Sequence, residues 1–123
     1  MPISWTVDPD FESVAVLVEG PVSRADVEAY LAAIDAAGAV GYRKLIDART
    51  ATVDMSHEDM MAVGVRLRGY HDGPVGALAF VLSREGADAV ARILGILAAA
   101  DRPMRLFTSL RAAERWLEGM IEA

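Results

Sequence analysis

Hydrophobic and polar positions follow two periods along this chain, and the switches between them mark out strands and helices. Ile3 to Val7 alternates weakly and predicts a short strand, ended by the turn cluster Asp8-Pro9-Asp10. Ser13 to Glu19, SVAVLVE, is a β-branched run that predicts a second strand, stopped by Gly20-Pro21. A hairpin joins the two, with the first strand at an edge. Ser23 then opens a helix in which Val27, Tyr30, Leu31 and Ile34 share one face and Arg24, Asp26, Glu28 and Asp35 lie elsewhere. Gly38 and Gly41 bracket its exit, and Tyr42 to Ala48 is the next strand. From Ser56 to about Tyr70 a helix carries the stripe Met60, Val63, Gly64 and Leu67, closed by His71-Asp72-Gly73-Pro74. Gly76 to Leu82, GALAFVL, is continuously apolar, as a strand covered on both faces in mid-sheet would be. Ser83 to Ala100 is helical through Val90, Ile93, Leu94 and Leu97, with Ile96 widening the apolar face, and Asp101-Arg102-Pro103 ends it. Met104 to Phe107 is the last strand. Ser109 to Ile121 is the last helix, with Leu110, Ala113, Trp116, Leu117 and Met120 inward and Trp116 at the border of that stripe.

Each helix follows a strand and starts at a serine: Ser23, Ser56, Ser83 and Ser109. A serine oxygen at that position accepts a bond from an otherwise unpaired first-turn amide, worth roughly 1 kcal/mol. Asp26 and Asp59 stand three residues after Ser23 and Ser56, the spacing of a capping box. Strand–helix alternation at this length predicts a single α/β domain over residues 1–123. Its sheet would be five-stranded and mostly parallel, with an antiparallel first strand. Crossovers between parallel strands are right-handed, so strands laid down in order would put the four helices mainly on one side. The other sheet face would be thinly covered.

Composition narrows the function. With 54% apolar and 24% charged residues the chain is globular. A net charge of −6 argues against nucleic acid, whose phosphates call for a basic face. Eleven of the twelve basic residues are arginine, which reads as GC-rich codon bias. The absence of cysteine excludes disulfides, thiolate metal sites and a cysteine nucleophile. MPISWTVD lacks the pattern of a signal peptide, and Ala87 to Ala100 is too short and too charged to span a bilayer. A cytoplasmic location is expected, with no transmembrane segment.

Candidate chemistry gathers in KLIDARTATVDMS, Lys44 to Ser56, where a buried strand leads through a non-periodic connection into a helix. In a parallel sheet, ligands and partners meet the chain at the carboxyl ends of strands. Asp47, Arg49, Asp54, Met55 and Ser56 are therefore the candidate functional edge, with Asp47 orienting Arg49 or capping loop amides. Holding the loop in shape is the structural alternative for Asp47 and Asp54. No metal is expected: His57 and His71 are about 21 Å apart along a helix, and the acids beside His57 suit the helix dipole. No catalytic residues stand out. Ser56 and His57 are neighbours pointing about 100° apart, there is no nucleophile-elbow motif, and Gly73 and Gly76 have neither dinucleotide nor P-loop spacing. No cofactor is implied. Met55, Met60 and Met61 suit core filling or an adaptable binding surface.

The element order resembles the STAS domain, named for sulfate transporters and anti-sigma-factor antagonists. More narrowly it is similar to bacterial SpoIIAA-like proteins grouped with STAS and SEC14-type lipid-binding domains. YRKLIDART resembles the central strand of that family, ending in Asp47. GALAFVLS resembles the fourth strand, and RLFTSLRAAERWLE the closing strand and helix, through Ala113, Trp116 and Leu117. Anti-sigma-factor antagonists carry a phosphorylatable serine directly after an aspartate at the helix following the third strand. Here the aspartate matches Asp54, but Met55 follows it, Ser56 comes one residue late, and His57 stands where glycine is usual. The resemblance implies a non-enzymatic regulatory module with a protein partner. Its SEC14 side implies a small carrier of a lipid-like or other apolar molecule. A homodimer is also expected, because Val90, Ile93, Leu94, Ile96 and Leu97 cover more than one face of their helix.

Overall fold

A computed structural model describes residues 2–69, 76–84 and 104–122. Five strands form one sheet in the order β1-β2-β3-β4-β5: Ile3–Asp8, Ser13–Val22, Arg43–Val53, Leu78–Val81 and Met104–Phe107. The β1–β2 pair is antiparallel and the other three are parallel. Three helices are described, α1 (Arg24–Ala36), α2 (His57–Gly69) and α3 (Leu110–Glu122), rather than the four expected. Beyond Arg84, the helix expected from Ser83 to Ala100 lies outside the described residues, and with it the apolar face on which the homodimer was read.

The serine caps follow local hydrogen-bonding need. Ser23 Oγ accepts from the Asp26 amide at 3.3 Å while the Asp26 carboxylate accepts from the Ser23 amide at 3.0 Å. Ser56 and Asp59 repeat the reciprocal pair at 3.1 and 3.3 Å, and Ser109 Oγ accepts from the Ala112 amide at 3.3 Å. At the exit of α1, Gly38 takes the left-handed φ of 68° that ends helices. Gly76 serves packing instead. A Cβ there would sit 2.6 Å from the Arg43 amide nitrogen, so only glycine lets the chain enter β4 past the turn at Gly41.

The helices do not share one face. Ile46 and Leu78 belong to a core with Val14, Val16, Tyr30, Leu31 and Ile34 of β2 and α1. Leu45 and Ala79, the alternate residues of the same strands, belong to a second core with Ala113, Leu117 and Trp116 of α3. Alternate residues point to opposite sides of a sheet, so α1 and α3 cover opposite faces. The expectation of four helices mainly on one side is corrected accordingly. Handedness constrains only a helix that links two parallel strands. α3 links no two of the described strands, so that rule does not place it, and it covers the face the crossovers leave bare. It reaches β3, β4 and β5, and the β1–β2 half of that face keeps Ser4, Thr6, Ala15 and Leu17 exposed.

Strand limits differ most around β2 and β3. Gly20-Pro21 does not end β2, because Glu19 to Val22 runs on beside Thr50 to Val53 of β3. The Glu19 amide donates to the Pro2 carbonyl at 2.9 Å, which puts odd-numbered β2 amides on the β1 side. Pro21 therefore lacks its N–H on the side where β1 has already ended, and the ladder loses nothing. Thr50 to Val53, expected as connection, is the β-branched strand that completes this ribbon.

Candidate functional site

The ribbon contains the feature that shapes the candidate site. Leu17 pairs with Asp47 and Glu19 with Thr50, so Val18 alone faces both Ala48 and Arg49. That extra residue is a β-bulge, which bends a strand and re-aims its side chains. Arg49 here folds back on Asp47. Its Nε and Nη2 donate to the two carboxylate oxygens at 2.9 and 2.8 Å, and its amide donates to Oδ1 at 3.3 Å. The pair is bidentate, with the Asp47 side chain 18% exposed and that of Arg49 45%. The guanidinium hydrogen bonds hold the Asp47 carboxyl below the usual aspartate range, and the same contact raises Arg49.

Asp54, Met55 and Ser56 form the short link from β3 to α2. The Asp54 amide donates to the Val22 carbonyl at 2.8 Å, closing the ribbon. Asp54 and Ser56 are exposed and Met55 is half-buried. Ser56 Oγ is engaged as the cap of α2. Close by, Arg24 at the start of α1 pairs with Glu28 at 2.9 Å and reaches Asp59 of α2 at 3.6 Å, which links the two helix starts. Glu28 and Asp59 raise the Arg24 pKa, and the Ser23 bonds lower that of Asp26.

The five candidate residues thus fall into two groups. From Arg49 to Asp54 the strand advances about 17 Å, so Asp47 and Arg49 do not touch Asp54, Met55 and Ser56. The pattern along the chain did not single out Lys44, which is buried and donates to the carbonyls of Val40 and Tyr42, each at 2.8 Å. Its alternation with Ile46 and Ala48 was the available signal, since that period points all three inward. Of the two alternatives read for Met61, core filling or binding surface, its exposure fits the second. Val65 was missed as a surface residue, although it falls off the stripe of Met60, Val63 and Gly64. Among the described residues, no three histidine, aspartate or glutamate side chains are placed to hold a metal. Nor is any described helix long and apolar enough to cross a membrane.

Between α3 and the sheet lies an open groove of about 230 Å³, lined by Ser13, Ala15, Arg43, Leu45, Glu114 and Glu118 among others. It mixes charge with a little apolar surface.

The fold is SpoIIAA-like. A structurally similar protein is one from Shewanella loihica PV-4, an uncharacterized member of the DUF3478 family with a SpoIIAA-like fold. The likeness covers 94% of this chain and 93% of that one, with a TM-score of 0.67 and 17% identity. At that identity the shared feature is the fold, which agrees with the resemblance read from the strand and helix motifs. No protein-family model matches the chain, and no curated protein matches it.

Proposed function

We propose that the chain is a non-enzymatic regulatory module that binds a protein partner at the joint of β3 and α2. The observation that carries this reading is where large apolar side chains remain in water. Of the five such residues described, Phe11, Leu17, Val53, Met61 and Val65, three fall between positions 53 and 65, at 48, 43 and 66% exposure. Single exposed apolar residues are ordinary, but Met61 and Val65 lie one turn apart on one face of α2 beside polar groups, which resembles the centre of a protein interface. Asp54 and Ser56 supply the polar rim, and Met55 and Met61 can adapt to a partner's shape. Arg49 lies about 17 Å and Asp47 about 23 Å back along the ribbon from Asp54, within a standard interface of about 800 Å² per partner.

The SpoIIAA-like fold supports the reading by analogy. Phosphorylation of Ser56 would add negative charge beside Asp54, Glu58 and Asp59 and so change the affinity for a charged partner. The test is affinity capture from the native host with wild type, Asp54→Ala/Met55→Ala and Met61→Asp/Val65→Asp, each first shown to fold by circular dichroism. One polypeptide recovered in stoichiometric amount by wild type, and lost with both variants, is the expected result. Equal recovery overturns the proposal. Native mass spectrometry showing a retained lipid would instead favour the carrier of an apolar molecule.

A further inference from the structure

We infer that the outer edge of β1, which no described strand covers, pairs antiparallel with the same edge of a second copy, so that two sheets join across a two-fold axis. The inference begins with which backbone groups face outward. Pro2 lies opposite Glu19 in the β1–β2 register and accepts its amide at 2.9 Å. In an antiparallel pair, hydrogen-bonded positions alternate. Ser4, Thr6 and Asp8 therefore bond to β2, and the N–H and C=O groups of Ile3, Trp5 and Val7 point away from it. Three donors and three acceptors stand in a row at the sheet's edge.

Proteins usually blunt such an edge with lysine, proline, a bulge or a very short strand. β1 has none of these: it is six residues long, unbroken in register, and its one charge is Asp8 at the end.

What fits the edge is its own copy. Centring the two-fold axis on Trp5 sets Ile3 against Val7 of the second copy and Trp5 against its equivalent, so all six outward residues find partners. Ile3, Trp5 and Val7 also share the apolar face over α1, where Trp5 meets Tyr30 edge-on at 5.3 Å between ring centroids. Pairing would extend that apolar face without a break. On the other face, exposed Ser4 would oppose exposed Thr6 of the second copy, a favourable cross-strand match. The two Asp8 carboxylates end up about 20 Å apart, six residues out of step along the strand, so the chain's negative charge is not concentrated at the seam.

The register makes the test specific. Sedimentation velocity at tens of micromolar is expected to show wild type at twice the 13.2 kDa chain mass. Ser4→Lys/Thr6→Lys puts like charges opposite each other twice and is expected to weaken the dimer about tenfold or more, less so in high salt. Ser4→Lys/Thr6→Glu puts opposite charges at the same two places and is expected to keep the dimer. Circular dichroism checks that both variants fold. A monomeric wild type overturns the inference, as does a dimer indifferent to the Lys/Lys change. Equal loss in both variants overturns it too, because only this register makes their outcomes differ.

Discussion

Asp47 shows what one carboxylate does at a bulge. The extra residue in β3 brings Arg49 back over it, and the guanidinium neutralises a charge that is mostly enclosed. Because hydrogen bonds from Arg49 lower the folded-state pKa, the pair stabilises the fold fully above the unfolded aspartate value. That contribution is lost as pH falls below the ordinary carboxylate range toward the folded value. Asp47→Asn should therefore destabilise the protein at neutral pH and flatten part of the acid limb. Urea titrations of wild type and variant across that range check the sign: a constant difference down to the most acidic pH would remove the assignment. Asp26 is shifted the same way, so the variant keeps some acid sensitivity. The spacing of Asp47 and Arg49 was legible, since residues two apart on a strand share a face. The bulge that closes the distance was not, because it depends on pairing with β2.

Among the elements, α3 has the clearest amphipathic pattern and the least constrained position. Ala113 and Leu117 are buried, and Trp116 stacks at a tilt on Phe107 with ring centroids 5.8 Å apart. Trp116 is only half-buried, so its loss should cost less than a fully buried tryptophan. Trp116→Ala is expected to destabilise by about 2 kcal/mol, lowering Tm by roughly 10 °C. An unchanged Tm in a thermal melt would mean that this ring adds nothing to the second core. The α2 stripe of Met60, Val63 and Gly64 is only half-buried and, among the described residues, enters neither core. Met61 and Val65 lie off it, and where α2 rests on α1 leaves them in water.

At the scale of the whole molecule, the sheet is closed on two sides by two different rules. Crossover handedness assigns α1 to one face, and the remaining apolar surface of Leu45, Ala79, Val81 and Phe107 draws α3 to the other. A chain cut after Phe107 would leave those residues in water. It is expected to bind an apolar dye and to lose its cooperative thermal transition. A truncated chain that melts cooperatively near the wild-type temperature would show that the α3 face is not a true core.

Local interactions determined what could be read directly from residue order. Serine with aspartate three positions on favours a helix start, and long β-branched runs favour strands. The strand sequence, the capped helix starts at Ser23, Ser56 and Ser109, and the inward stripes of α1 and α3 all follow from such short-range preferences. Tertiary structure decided the rest, because each remaining feature compares surfaces far apart in the chain. Thr50 to Val53 is strand only because Glu19 to Val22 lies alongside it. The five candidate residues separate into two groups only because that ribbon is extended. And α3 lies opposite α1 only because burying the bare half of the sheet lowers the free energy more than crowding the face already covered.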